Sequence, residues 1–161
     1  MKLSNKHKAV QLLTSFSGFA AIGCLLVALS TFLTWHIVPI FGVQLPVSGF
    51  WSSVQGKVVF GIFVALALFF ILTYSAKAVS LWRPLVLAGA SIALICFWVW
   101  HVCFELSGSE TVTVNGAPST RPIVVSLGEG FYVTGALALA LLFLSAIQIR
   151  LSLINRDTPK L

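Results

Sequence analysis

Two histidines stand in the same short element, Phe-x-x-Trp-His, once as Phe32 to His36 and again as Phe97 to His101, 65 positions apart. Two imidazoles presented at one level of a fold are a ligand set for haem iron or another transition metal, and Cys103, two residues beyond His101, offers a thiolate. The competing role is an aromatic belt at a membrane surface: Trp35 and Trp100 as interfacial aromatics, with the imidazoles beside them in headgroup water. Zinc asks for three or four protein ligands, and only two matched nitrogens are in view. The belt is therefore the expected role. No resident cofactor or metal is expected, and cofactor binding through His36 and His101 is the alternative.

Other reactive groups are sparse. Cys24, Cys96 and Cys103 are odd in number and lack motif spacing, and the first two fall inside apolar runs where a thiol behaves as a small hydrophobe. Lys57 and Glu129 follow Gly56 and Gly128 and form a candidate ion pair of opposite sign. At a membrane boundary, however, the expectation is that each reaches headgroup water by itself. The sequence contains no phosphate loop, hydrolase elbow or paired-carboxylate motif.

The elements that must position these residues follow from composition. Of 161 residues, 58% are hydrophobic and 9% charged, with a mean hydropathy of +1.02, whereas a soluble domain carries about a quarter charged residues. The chain reads as an all-α integral membrane protein and a single membrane domain, residues 1–161. A span needs about 20 apolar residues. Four segments qualify: Phe16 to Trp35, Val58 to Ala76, Pro84 to Phe104, and Phe131 to Ile149. Outer loops then cover 36–57 and 105–130, and an inner loop covers 77–83. Lys2, Lys6, Lys8, Lys77, Arg83, Arg150, Arg156 and Lys160 fall on one side and only Lys57 and Arg121 on the other. Since cytoplasmic segments retain Lys and Arg, both termini are expected inside, in the cell inner (cytoplasmic) membrane of a bacterium. The net charge of +6 reads as this topology signal plus attraction to anionic lipid, and not as a nucleic-acid surface. Ala21-Ile22-Gly23-Cys24 is an imperfect lipoprotein cleavage box, but the apolar run continues to Leu33, unlike a processed signal.

The repeated element extends to a repeated hairpin. Ala28 to Ile37 matches Ala93 to Val102; Gly56 to Phe60 opens the second arm as Gly128 to Tyr132 opens the fourth; and Ala65-Leu66-Ala67-Leu68 recurs as Ala138-Leu139-Ala140-Leu141. A four-helix bundle made of a duplicated two-helix hairpin follows, with a pseudo-two-fold axis along the membrane normal and Trp35 superposing on Trp100. In the second outer loop, Thr111 to Val114 alternates, Asn115-Gly116 is a hairpin turn, and Ile123 to Val125 supplies a return strand. The first, Phe41 to Gly49, is more apolar. Together they predict a small extracytoplasmic β-structured cap. Ala20, Cys24 and Ala28, Gly89 and Ala93, and Ala136 and Ala140 stand at four-residue spacing and permit close helix approach.

An apolar hairpin that ends in Trp, passes through a Gly-containing outer loop and re-enters through a Gly-aromatic start resembles the small four-helix bacterial membrane proteins labelled tryptophan-biosynthesis-associated or grouped in families of unknown function. The residues that carry it are Phe32 to His36 with Gly49 and Gly56 to Gly61, then Phe97 to His101 with Gly116 and Gly128 to Gly135. The resemblance covers most of the chain; it implies a fold, and brings no catalytic residues. Gly49-Phe50-Trp51 is similar to the outer-loop tryptophan motif of claudin-like proteins, but no cysteine lies in that loop. The disulfide-forming quinone oxidoreductases are excluded by the lack of Cys-x-x-Cys. The expected function is a non-enzymatic multi-pass accessory or scaffold component, with the lipid bilayer and other membrane proteins as partners and no nucleic acid. The alternatives are a small redox or cofactor-binding protein using His36 and His101, and a minor transporter-like protein.

Overall fold

A computed structural model describes residues 15–40, 43–74, 81–104, 107–114, 117–124 and 126–157. Their order is α1 (Phe16–Ser30), β1 (Thr34–Ile40), β2 (Val43–Ser48), α2 (Gly49–Ser52), α3 (Val54–Thr73), α4 (Trp82–Phe104), β3 (Ser107–Val114), β4 (Ala117–Val124), β5 (Ser126–Leu127) and α5 (Glu129–Asp157). The chain is mostly helical with a small sheet. Among the described residues, three stretches are long and apolar enough to cross a bilayer, Val54–Thr73, Trp82–Cys103 and Glu129–Ile154.

The first expected span does not reach Trp35. Helix α1 has 15 residues, about 22 Å at 1.5 Å per residue, against a hydrocarbon core of about 30 Å. Its end is set by hydroxyls that turn back on the last turn: Ser30 Oγ donates to the Val27 carbonyl at 2.7 Å and Thr31 Oγ1 to Ala28 at 2.7 Å. The amides of Thr31, Phe32 and Leu33 bond three residues back, the tightening of a closing helix. The chain then extends into β1, where Thr34, Trp35, Ile37 and Val38 are residue types that favour strands.

The other boundaries move less. Helix α3 begins at Val54, four residues before the expected Val58, because Ser53 caps it by accepting from Gly56 N at 2.9 Å. The expected end at Ala76 and the start of the inner loop at Lys77 lie outside the described residues. Helix α4 starts at Trp82, and Pro84 is tolerated in its first turn, where amides lack intrahelical acceptors. Helix α5 starts at Glu129 and continues past Ile149 to Asp157, since no Gly or Pro stands between Ile149 and Pro159.

Helix α1 packs against both α3 and α5, and α4 packs against α5, while α3 and α4 scarcely touch. Ala20, Cys24, Val27 and Ala28 of α1 are fully buried against Phe63, Ala67 and Phe70 of α3 and Ala138 and Leu141 of α5. The small-residue stripe of α1 is therefore a packing surface. The stripes of the other two helices are not: Gly89, Ala93, Ala136 and Ala140 face outward. Buried hydroxyls satisfy themselves, Ser91 donating to the Leu87 carbonyl, Ser145 to Leu141 and Thr134 to Gly130, and Ser30 Oγ lies 2.7 Å from Thr134 Oγ1 across the α1–α5 interface.

The C-terminal end of α3 and the N-terminal end of α4 are tied together. Phe69 meets Trp82 with ring centroids 5.1 Å apart, and Arg83 Nη2 donates to the Thr73 carbonyl at 2.5 Å, satisfying the C-terminus of α3. Towards their other ends the two helices diverge. The groove between them, about 380 Å³, is lined on one side by Val58, Ile62 and Phe63 and on the other by Ala90, Ala93 and Phe97.

Both expected β regions are present. Strands β2, β1 and β5 form an antiparallel sheet in that order, and β3 and β4 form a separate hairpin in which Val114 pairs with Ala117. That register leaves the two positions of Asn115-Gly116, which lie outside the described residues, to connect the strands. The return strand begins at Ala117, earlier than the expected Ile123, and Val125 lies outside the described residues.

The two copies of Phe-x-x-Trp-His do not share a conformation. The second stays helical in α4; the first breaks at Thr31 and enters β1. Trp35 is 1% exposed and Trp100 is 58% exposed, so these tryptophans are not structural equivalents.

Candidate functional site

Strand β1 carries a bulge: Thr34 pairs with Ser48 and His36 with Val47, so Trp35 is the extra residue on its strand. A bulge re-aims a side chain, and here the indole turns inward. Its Nε1 donates to the Ser30 carbonyl at 3.2 Å, and Gly49 leaves the space its ring fills, since any Cβ there would overlap the indole. With Trp35 committed to the interior, the next residue, His36, projects towards the end of α4. His36 also pairs with Leu127 of β5, and Gly128 N donates to the Trp35 carbonyl at 2.8 Å, which ties the start of α5 to the bulge.

On α4, Phe97 and Trp98 precede His101 by four and three residues, so each has its ring on the side of the helix that carries the imidazole. Phe131, in the first turn of α5, is 1% exposed and packs against Trp98 and His101. Its ring stacks on Trp98 at 5.5 Å and 16°, meets Trp35 edge-on at 5.9 Å, and lies 5.2 Å from His101 and 6.4 Å from His36. Trp98 Nε1 donates to the Phe131 carbonyl at 3.1 Å.

On this aromatic floor the imidazoles meet. His36 Nε2 and His101 Nε2 are 2.6 Å apart, with ring centroids 4.8 Å apart and planes 48° to one another. His101 is buried and His36 half-buried. One Nε2 must donate and the other accept. Rings from β1 and α4 are thus joined through nitrogens of the kind that ligate metals.

The remaining candidates are not gathered there. Cys103 is exposed on α4, two residues from His101 and so about 200° around the helix from it. Cys24 is buried in α1, Cys96 is exposed, and all three cysteines are free thiols. Lys57 and Glu129 are both exposed, and among the described residues no ion pair joins them. Glu129 stands in the first turn of α5, where its charge suits the positive end of the helix. Among the described residues no group of three or more His, Cys, Asp or Glu side chains surrounds a common point.

No protein-family model matches the chain, and neither a curated protein nor a solved structure is similar to it.

Phe131 and Trp98 were not singled out from the sequence as site residues. A signal existed: Gly128-Glu129-Gly130-Phe131 sets an aromatic immediately after two glycines at a helix start. Both glycines are buried against the Leu33–Thr34 segment, where a Cβ would overlap backbone. Trp98 precedes His101 by three, the helical spacing that places two rings on one surface.

Proposed function

We propose that the chain is a non-enzymatic, four-span accessory or scaffold component of the bacterial cytoplasmic membrane, with both termini inside and its two β-sheets forming a cap over the outer ends of the bundle. The observation that carries this reading is the groove between α3 and α4. The helices are pinned at one end by Phe69, Trp82 and Arg83 and diverge towards the other, and Ala90 and Ala93 leave a shallow apolar wall. Small residues on a lipid-facing wall let another helix approach closely, so the occupant of this groove is an apolar helix of a partner membrane protein.

Helix α1 is the fourth span. It is short, but it lies between α3 and α5 along its buried side, and the non-helical residues after it are satisfied by protein. Phe50 N donates to Thr31 O at 2.7 Å and Gly128 N to Trp35 O at 2.8 Å. Irregular backbone at membrane depth is tolerated under that condition.

Two experiments test the reading. In a variant lacking Cys24, Cys96 and Cys103, a single cysteine at Gly116 is expected to react with an impermeant maleimide on intact cells, and single cysteines near either terminus only after lysis. Labelling of a terminus from outside would refute the four-span arrangement. For the groove, a photo-crosslinking residue at Ile62 or Ala93 is expected to give one discrete protein adduct in native membranes, and the same residue at Leu72 or Phe143, exposed elsewhere on the bundle, none. Adducts with lipid alone at Ile62 and Ala93 would remove the scaffold role.

A further inference from the structure

We propose that His36 and His101 together bind one divalent transition-metal ion of the copper and zinc type, which ties the strand after the first helix to the outer end of α4. This goes beyond the scaffold reading and does not depend on it. A bis-imidazole site requires two Nε2 lone pairs converging on one point, on elements that can separate slightly without unfolding. Here the nitrogens face each other at 2.6 Å. With metal–nitrogen bonds of about 2.0–2.1 Å, two imidazole nitrogens on one ion stand about 2.9 Å apart at a right angle and about 3.3 Å apart in a tetrahedron. The pair must open by a few tenths of an ångström, within the reach of side-chain torsions. The ring that donates its Nε2 proton in the hydrogen-bonded pair moves that proton to Nδ1, so both Nε2 lone pairs face the ion and no net proton is released from the two neutral rings.

The surroundings suit the ion in two ways. The pair rests on the buried Phe131 ring and beside Phe97, which fixes both imidazole planes and keeps bulk water to one side. The bulge at Trp35 and the close approach of Gly128 to Thr34 hold β1 against α5, so His36 is delivered by a braced strand. Imidazole favours copper, zinc and nickel, with copper(II) the tightest of the divalent series. Two protein nitrogens leave the remaining positions of the ion to water or an exogenous ligand, and the site is of moderate affinity.

The test uses the full chain purified in detergent through a tag without histidine, titrated with copper(II) and then zinc(II) by calorimetry, with pulsed EPR of the copper form counting coordinated imidazoles. One ion per chain, two imidazole nitrogens coupled to copper, and at least about tenfold weaker binding in both H36A and H101A are expected, with H7A unchanged. Bound ion should also raise the thermal unfolding temperature of the wild type with increasing metal and not that of H36A. Fewer than two coupled imidazoles in the wild type, or equal affinity in wild type and both variants, would overturn the site. If either alanine variant fails to fold, the EPR count on the wild type decides alone.

Discussion

The variant Gly56→Ala is expected to lose about 3 kcal/mol of stability, the upper end of what overpacking costs. Gly56 is buried at the start of α3, and a Cβ on it would overlap the carbonyl of Gly49 in α2. The clash is backbone against methyl, so no change of rotamer relieves it. Ser53 adds to the constraint: its hydroxyl accepts from Gly56 N at 2.9 Å and donates to the Gly49 carbonyl at 2.9 Å, holding the two glycines together. Gly49 is in turn the seat of the Trp35 ring, so a shift there reaches the bulge that aims His36. The control lies on the same helix. A Cβ on Gly61 meets nothing within 4 Å, and Gly61→Ala is expected to be neutral or to stabilise by up to about 1 kcal/mol through helix propensity. Thermal unfolding of the two variants in detergent checks both; equal shifts would show that the Gly49–Gly56 approach does not constrain the fold.

Removing the aromatic floor is expected to cost more still. Phe131→Ala deletes a ring that is 1% exposed and packed on Trp98, Trp35 and both histidines, and truncation of a buried Phe typically costs about 3–5 kcal/mol because the cavity only partly collapses. The neighbours make collapse difficult here. Trp35 is anchored by its bond to Ser30 O and Trp98 by its bond to Phe131 O, and neither can move into the gap without losing that bond. The adjacent Tyr132 is 55% exposed, and Tyr132→Ala is expected to change stability by within about 0.5 kcal/mol. A Phe131→Ala protein as stable as Tyr132→Ala would mean that the three ring systems do not pack as a unit.

The character of the chain was legible from composition and periodicity alone. Uninterrupted apolar runs with charges only at their ends dictate helices in a membrane-like solvent, because backbone groups there must bond within their own segment. That reasoning anticipated the three long apolar helices, although α5 runs on to Asp157, past its expected end at Ile149. The sequence also singled out His36 and His101, because the Phe-x-x-Trp-His pattern at two places is visible without any structure.

What tertiary structure decided is where that identity fails. Phe32 to His36 and Phe97 to His101 have the same pattern, yet only the second is helical. Propensity is a weak local term, and the first copy is overridden by contacts distant in sequence: the seat at Gly49, the amide of Gly128 on the Trp35 carbonyl, and the hydroxyls of Ser30 and Thr31 ending α1 early. The same asymmetry makes the site. Two helical copies related by a two-fold axis would hold their histidines at matching depth on separate helix ends, with nothing to direct one towards the other. Bending the first copy into a bulged strand buries Trp35 and carries His36 to 2.6 Å from His101. Residue types and spacing fixed which groups were available; the packing of β1 and α4 against the start of α5 decided that two of them meet.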